Sequence, residues 1–420
     1  MATLIKLGIR MKEYSKLTEG PIVLSGAKFS ALCADIKYKD RLDLMLIYLD
    51  SGSILAGVFT KSLTRSASVI WSEKIVKNSH KYVCEPYAIL VNSGNANAFT
   101  GRKGHAAVKH VMKALSQSLG ITLKRVLMAS TGVIGEDLPY KKIIAVVPEL
   151  VGGLSRKNID ACSRAIMTTD TYPKVSCKKI KLGDKIVTIA GIAKGSGMIA
   201  PNMGTMLSFI MTDAKISQEM LQIVTKKSCE NTFNSITVDS DTSTSDMVLV
   251  AATSKVKMTV IEDYSDLRIK KFGDALESLM QDLALEIVRD GEGASKLVEY
   301  QVVGAMNDMS AKTIAFAIAD SPLVKTAIAG EDPNWGRLVM AIGKSGERIE
   351  QEKIVIHIGK NIVTQYGRVA EDYDENKTKK YMRKNDLTIR VDLGLGTGKA
   401  RVWGCDFTKE YIAINADYRS

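Results

Sequence analysis

The run Lys194–Phe209, "KGSGMIAPNMGTMLSF", passes through Gly, Ser, Gly and Pro-Asn, then turns apolar just behind a single Gly-Thr bond. A hydroxyl residue placed after a glycine at the start of an apolar strand can attack the carbonyl before it. The Thr205 hydroxyl would shift the Gly204 acyl group from nitrogen to oxygen, and water would then hydrolyse the ester. Gly204 has no Cβ, so the backbone there can take a strained geometry that other residues resist. The cut would free an α-amine on Thr205, with an ordinary pKa near ~8, beside its own hydroxyl. Such an amine is a built-in general base for a weak nucleophile, and no Ser-His-Asp set is needed. On the residues alone, a buried threonine opening a strand is the other account of this junction.

Other polar runs are weaker signals. "ASTGVIG" (Ala129–Gly135) follows the strand-like Arg125–Met128. A small polar turn there leaves backbone N–H groups for an oxyanion hole, or is an ordinary turn. "VNSGNANAFTG" (Val91–Gly101) carries the same two readings. "TVDSDTSTSD" (Thr237–Asp246) lacks the glycine and the terminal glutamate of a calcium loop. It reads as a polar active-site loop or a structural turn network. "GLGTGKA" (Gly394–Ala400) lacks phosphate-loop spacing and predicts a hairpin turn. The six cysteines show no CxxC pair, and His105 and His110, five apart, do not share a helix face. Reduced thiols and no metal site are expected.

These residues need elements to position them. A chain of 420 residues, 45% hydrophobic and with a mean hydropathy of +0.01, has ample core for two domains or one large layered fold. No run approaches the ~18 apolar residues of a membrane span, and Lys6 interrupts the short apolar start. A cytoplasmic protein without membrane contact is expected. The net charge of +12 is spread along the whole chain, without a recognition-helix signature or an aromatic-interleaved basic stripe. That predicts a lysine-rich solvated surface suited to small anionic substrates, and no nucleic-acid partner.

Apolar spacing predicts helices over Gly104–Gly120 and Asp274–Arg289. Buried strands are predicted at Tyr87–Val91, Ile186–Ile192, Met206–Met211 and Met247–Ala251. "KIVIHIGKNIV", "LTIRVDLG", "KARVWGCDF" and "EYIAINADY" predict antiparallel hairpins in the C-terminal third, with a charged surface loop at Glu371–Lys380. The class is α/β, with sheets covered by helices.

Taken together, "GVFTKS", "VNSGNANAFTG", "ASTGVIGEDLP", "MTTDTYPK", "KGSGMIAPNMGTMLSF", "TVDSDTSTSD", "RDGEGASK", "DPNWGR" and "INADYRS" resemble, in order, segments of the ornithine acetyltransferase family, also called glutamate N-acetyltransferase. The resemblance runs along nearly the whole chain. It implies a layered helix-sheet-sheet-helix fold shared with self-processing aminopeptidases, cut into chains 1–204 and 205–420. Thr205 would be the nucleophile that carries acetyl from N2-acetylornithine to glutamate in arginine biosynthesis, with Thr131 and Gly132 stabilising the oxyanion. Thr168, Lys194, Thr205, Glu292, Asn415 and Ser420 match substrate-contacting positions. The resemblance further implies no cofactor, acetyl-CoA as an open second donor, and a heterotetramer of two copies of each chain.

Two positions depart from the family pattern. Gly204 stands where alanine is usual, and Ser245 where asparagine is common, which puts a local hydrogen bond in doubt. A self-processing amidase or aminopeptidase of the same fold is the enzymatic alternative. A basic binding protein in which the Gly-Thr bond is only a loop-strand junction is the other.

Overall fold

The computed structural model describes residues 22–79, 85–200 and 206–417. They form two compact units, the first holding described residues up to 195, 206–234 and 242–287, the second holding 196–200, 235–241 and 288–417.

The first unit is built from β1 (Ala27–Leu32), β2 (Leu44–Leu49), β3 (Ile54–Phe59), α1 (Ala67–Lys77), β4 (Tyr87–Asn92), α2 (Gly101–Leu119), β5 (Val126–Ser130), α3 (Tyr140–Gly152) and α4 (Ile159–Ala165). It continues with β6 (Lys174–Leu182), β7 (Lys185–Lys194), β8 (Leu207–Thr212), α5 (Gln218–Asn231), β9 (Met247–Ala252) and α6 (Leu267–Arg289). One sheet has the order β1-β2-β4-β5 and the other β3-β9-β8-β7-β6. Because side chains alternate along a strand, each fully buried strand serves two cores. Met45, Ile47, Tyr87, Ile89, Val91, Leu127 and Ala129 of the first sheet pack with Ile192, Leu207, Phe209, Met211 and Leu249 of the second. Leu44, Leu46, Ala88, Leu90, Val126 and Met128 point the other way, onto Val108, Val111 and Leu115 of α2 and Ile143 and Val147 of α3. On the far side, Leu279 and Leu283 of α6 come up against Gly191 of β7. The result is helix, sheet, sheet, helix. All four strands predicted above lie here, and α2 stops at Gly120, which takes a left-handed φ of 65°.

The second unit holds β10 (Leu297–Ala305), α7 (Asp308–Ala319), α8 (Pro322–Ala329), α9 (Trp335–Gly343), β11 (Val355–Ile358), β12 (Asn361–Gln365), β13 (Arg368–Val369), α10 (Glu375–Met382), β14 (Asp386–Asp392), β15 (Gly398–Cys405) and α11 (Lys409–Ala416). Its sheet has the order β13-β12-β11-β14-β10-β15, and Ile314, Ile318, Val324, Ile328, Leu338 and Ile342 from α7, α8 and α9 cover it.

Three expectations fail in this unit. "GLGTGKA" is not a hairpin turn: β10 lies between β14 and β15, parallel to one and antiparallel to the other. The loop must therefore cross the end of β10, and a Cβ at Gly398 would lie 2.2 Å from the Asn307 carbonyl carbon. "EYIAIN" is the helix α11, not a strand. The Thr408 hydroxyl accepts the Glu410 N–H at 3.2 Å, and no residue of the helix is buried, so no sheet edge imposes alternation. The segment Glu371–Lys380 is partly helical for the same kind of reason, with Asp374 accepting the Lys377 N–H at 3.0 Å to cap α10. Apart from the parallel β10–β14 pair, the sheet is antiparallel as expected.

Candidate active site

Gly204, Thr205 and Ser420 lie outside the described residues. β8 is the central strand of its sheet, antiparallel to β7 and parallel to β9. Its register sets Lys194, the last residue of β7, opposite Leu207. Met206, which follows Thr205, donates its N–H to Asp246 Oδ1 at 2.8 Å, and its carbonyl accepts the Met247 N–H at 3.1 Å. The residue after the Gly-Thr bond is thus fixed on both backbone groups.

Two buried carboxylates sit at this end of the sheet. Asp170 accepts Lys174 Nζ and the Gly195 N–H, each at 2.7 Å, on Oδ1, and the Thr168 N–H at 3.0 Å on Oδ2. Lys194 Nζ lies 4.0 Å from Oδ2. Burial pushes the Asp170 carboxyl up, but the charges of Lys174 and Lys194 and the bonds from Lys174 and Gly195 outweigh it and hold it well below the usual range. Asp246 is the opposite case. Burial pushes it well above the usual range, against the opposing pull of the Met206 N–H and of Lys194, and among the described residues its Oδ2 has no hydrogen-bond partner. Lys194 itself is 3% exposed.

Thr131 and Gly132 follow β5. The Thr131 N–H bonds to the Asn92 carbonyl at 3.0 Å and the Val133 N–H to the Gly94 carbonyl at 3.3 Å. Gly132, between them, has a φ of 132°, and a Cβ there would lie 2.3 Å from the Gly94 carbonyl carbon, so only glycine fits. Among the described residues no group accepts the Gly132 N–H, and none pairs with the Thr131 hydroxyl. Two free donors on a rigid turn are what an oxyanion hole requires. A small cavity lined by Gly94, Ser93, Thr168, Met167 and Arg41 adjoins this turn. Gly132 thus packs on Gly94 at one side of this cavity, while Thr168, on its wall, bonds to Asp170, which faces Lys194.

The remaining two site residues belong to the second unit and meet each other. Glu292, 7% exposed, accepts Asn415 Nδ2 at 2.7 Å on Oε2 and gives its own N–H to the Ser196 carbonyl at 2.9 Å. Asn415 sits on the exposed face of α11.

Sequence reasoning named no role for Asp170, Lys174, Asp246, Asp239 or Tyr411. The first two lie in the quoted "MTTDTYPK", and Asp239 and Asp246 in "TVDSDTSTSD", so the signal was an acid within a motif. The Ser245 N–H meets Ser243 Oγ at 3.1 Å, and its hydroxyl lies 3.2 Å from the Thr244 hydroxyl. Among the described residues no cluster of His, Cys, Asp and Glu could hold a metal, and no helix is long and apolar enough to cross a membrane.

The sequence profile of the ArgJ family matches residues 28–420. The chain is 49% identical over 398 residues to the arginine biosynthesis bifunctional protein ArgJ of Ruegeria pomeroyi, covering 95% of each chain. It is 48% identical over 412 residues to the protein of that name from Mesorhizobium japonicum, covering 97% of this chain and 98% of that one. The crystal structure of the Bacillus halodurans arginine biosynthesis bifunctional protein argJ is 43% identical, with a TM-score of 0.49 over 50% of this chain and 99% of that one. The chain belongs to the ArgJ family.

Proposed function

We infer that the protein is an acyltransferase of arginine biosynthesis that moves acetyl from N2-acetylornithine to glutamate through an acetyl-Thr205 enzyme. The observation that carries this reading is the fixed start of β8, held through Met206 beside Lys194 and Asp246, directly after the Gly204–Thr205 bond. In processing, Thr205 Oγ attacks the Gly204 carbonyl and the C–N bond breaks. Water then splits the ester, leaving a Gly204 carboxylate and a free Thr205 amine. In turnover, that amine takes the Oγ proton as Oγ attacks the acetyl carbonyl. The proton passes to the departing ornithine nitrogen, and the glutamate amine reverses the sequence. The Gly132 N–H and the Thr131 hydroxyl stabilise the oxyanion in both half-reactions.

Lys194 serves substrate carboxylates as a point charge already partly balanced by Asp170. Thr168, on the cavity wall, and the Glu292–Asn415 pair contact substrate, with Glu292 receiving an ammonium group; Ser420 adds its hydroxyl and the terminal carboxylate. The two chains stay associated as a heterotetramer in the cytoplasm. Acetyl-CoA serves as a second donor, in keeping with the word bifunctional in the relatives' names.

The test is Thr205→Ala. Freshly expressed wild type runs as two fragments on a denaturing gel, whereas the variant stays full length and silent. A variant cut at the same bond would assign the cut to an external protease and end the reading.

A further inference from the structure

Asp239 and Tyr411 are used by none of the chemistry above, yet they complete a closed hydrogen-bonded circuit within the second unit. Asp239 accepts the Met198 N–H at 2.6 Å on Oδ2 and the Ile199 N–H at 2.9 Å on Oδ1. Its grip on this short segment is doubled by the neighbouring residues. The Val238 N–H bonds to the Ile199 carbonyl at 2.9 Å, with the Thr237 hydroxyl, itself held to Asp320 at 2.6 Å, close by at 3.2 Å. From the other side the Tyr411 hydroxyl reaches Asp239 Oδ2 at 3.3 Å. Tyr411 is one helical turn before Asn415 on α11, and its carbonyl accepts Asn415 Nδ2 at 3.0 Å. The same Asn415 amide bonds to Glu292 Oε2, and the Glu292 N–H returns to Ser196, next to where the circuit began. Two further contacts stiffen it. The Thr408 hydroxyl bonds to the Gly293 carbonyl at 2.7 Å, and the Tyr411 ring stacks on Phe407 with centroids 4.6 Å apart.

Asn415 is exposed, and α11 buries none of its residues, so packing alone does not fix where this helix lies. The Asp239–Tyr411 contact joins the Thr408 bond and the close approach of Gly293 to the Tyr411 nitrogen in registering it against the Glu292 loop. Asp239 also holds the segment that, once the chain is cut, is the C-terminal tail of the first fragment. We propose that Asp239 and Tyr411 are positioning residues that set the Glu292–Asn415 pair for the amino-acid substrates, tying its geometry to the tail left by processing. This rests on the reading of Glu292 and Asn415 as substrate contacts. Neither new residue touches the reacting atoms, so the expected signature is in substrate binding rather than in the acyl-transfer step.

The experiment compares wild type, Tyr411→Phe, Asn415→Ala, the double variant and Asp239→Asn, each as the full-length, processed enzyme. Tyr411→Phe keeps the ring stack and loses one hydrogen bond, which corresponds to a change of about fivefold. KM for N2-acetylornithine and for glutamate should rise about fivefold, with kcat within about twofold and processing and thermal midpoint unchanged. In the Asn415→Ala background the Phe substitution should add nothing, because the circuit is already open. Asp239→Asn should repeat the rise in KM, and it supplies the answer if Tyr411→Phe does not fold. Unchanged KM in both Tyr411→Phe and Asp239→Asn, or effects of Tyr411→Phe and Asn415→Ala that simply multiply, would overturn the proposal. A wild type that is processed but transfers no acetyl group would instead overturn the proposed function.

Discussion

The proposed site residues of the two units differ in physical character. In the first, Thr131, Lys194 and Asp170 are buried and Gly132 half-buried, at or near strand ends, and most of their contacts are to backbone or to buried charges. In the second, Glu292 and Asn415 meet through side chains, one of them exposed, on a loop and a short helix with no buried residue. Groups that stabilise a developing charge gain most from being rigid and dry, since reorganisation at the moment of reaction is then avoided. Groups that recognise the ends of an amino acid can tolerate looser mountings. Damage to the first set should therefore appear in stability and kcat, and damage to the second in KM.

The most severe break is expected from Asp170→Asn. It leaves Lys174, whose side chain is fully buried, and Lys194 without their shared counter-charge. Removing one member of a buried ion pair costs about 3–5 kcal/mol, to be read as a lower denaturant midpoint. The sign with pH follows from the lowered carboxyl. Its stabilisation is complete above the unfolded-state pKa of about 3.9 and is lost as pH falls from there toward its folded value. The wild type should lose stability over that acid range and Asp170→Asn should not. Thr131→Ala comes next, with kcat lowered roughly 10²–10³-fold at nearly unchanged KM, measured by steady-state kinetics. In the second unit, Glu292→Gln keeps a bond to Asn415 but loses the charge, and should raise KM about tenfold with processing intact.

The mildest test separates the two buried acids. Asp246 is pushed up where Asp170 is pulled down, so its linkage has the opposite sign. As pH rises from the ordinary carboxylate range toward the raised pKa of Asp246, the unfolded chain gives up its proton while the folded chain keeps it, and stability falls. Asp246→Asn retains an acceptor for Met206 and should remove that slope in thermal midpoints measured across pH. A slope identical to wild type would mean that Asp246 is ionised in the folded protein.

Much of this was legible in the sequence, and the division follows the same contrast. The double role of the strands in the first unit shows directly in runs such as "LMLIYL" and "YAILVN", where every position is apolar or small. The polar runs around Thr131 and Glu292 stand out because small residues crowd there. What stayed hidden depends on partners distant in sequence. Nothing local to "GLGTGKA" says that β10, some ninety residues upstream, fits between its flanking strands. "EYIAIN" has a strand's composition, and the Thr408 cap at its start, with no face of it buried, goes with a helix instead. Asp170 and Asp246 look alike as acids in polar motifs, and the opposite directions in which their carboxyls are shifted follow from where Lys174 falls.

The central claim is that Thr205 becomes a free N-terminal nucleophile and carries the acetyl group. The most direct measurement is the intact mass of the purified protein before and after incubation with N2-acetylornithine, and again after glutamate is added. The expected result is one fragment ending at Gly204 and a second beginning at Thr205, the second gaining one acetyl mass with the donor and losing it with glutamate. An uncut chain with full turnover, or an active cut enzyme that never gains the acetyl mass, would contradict it.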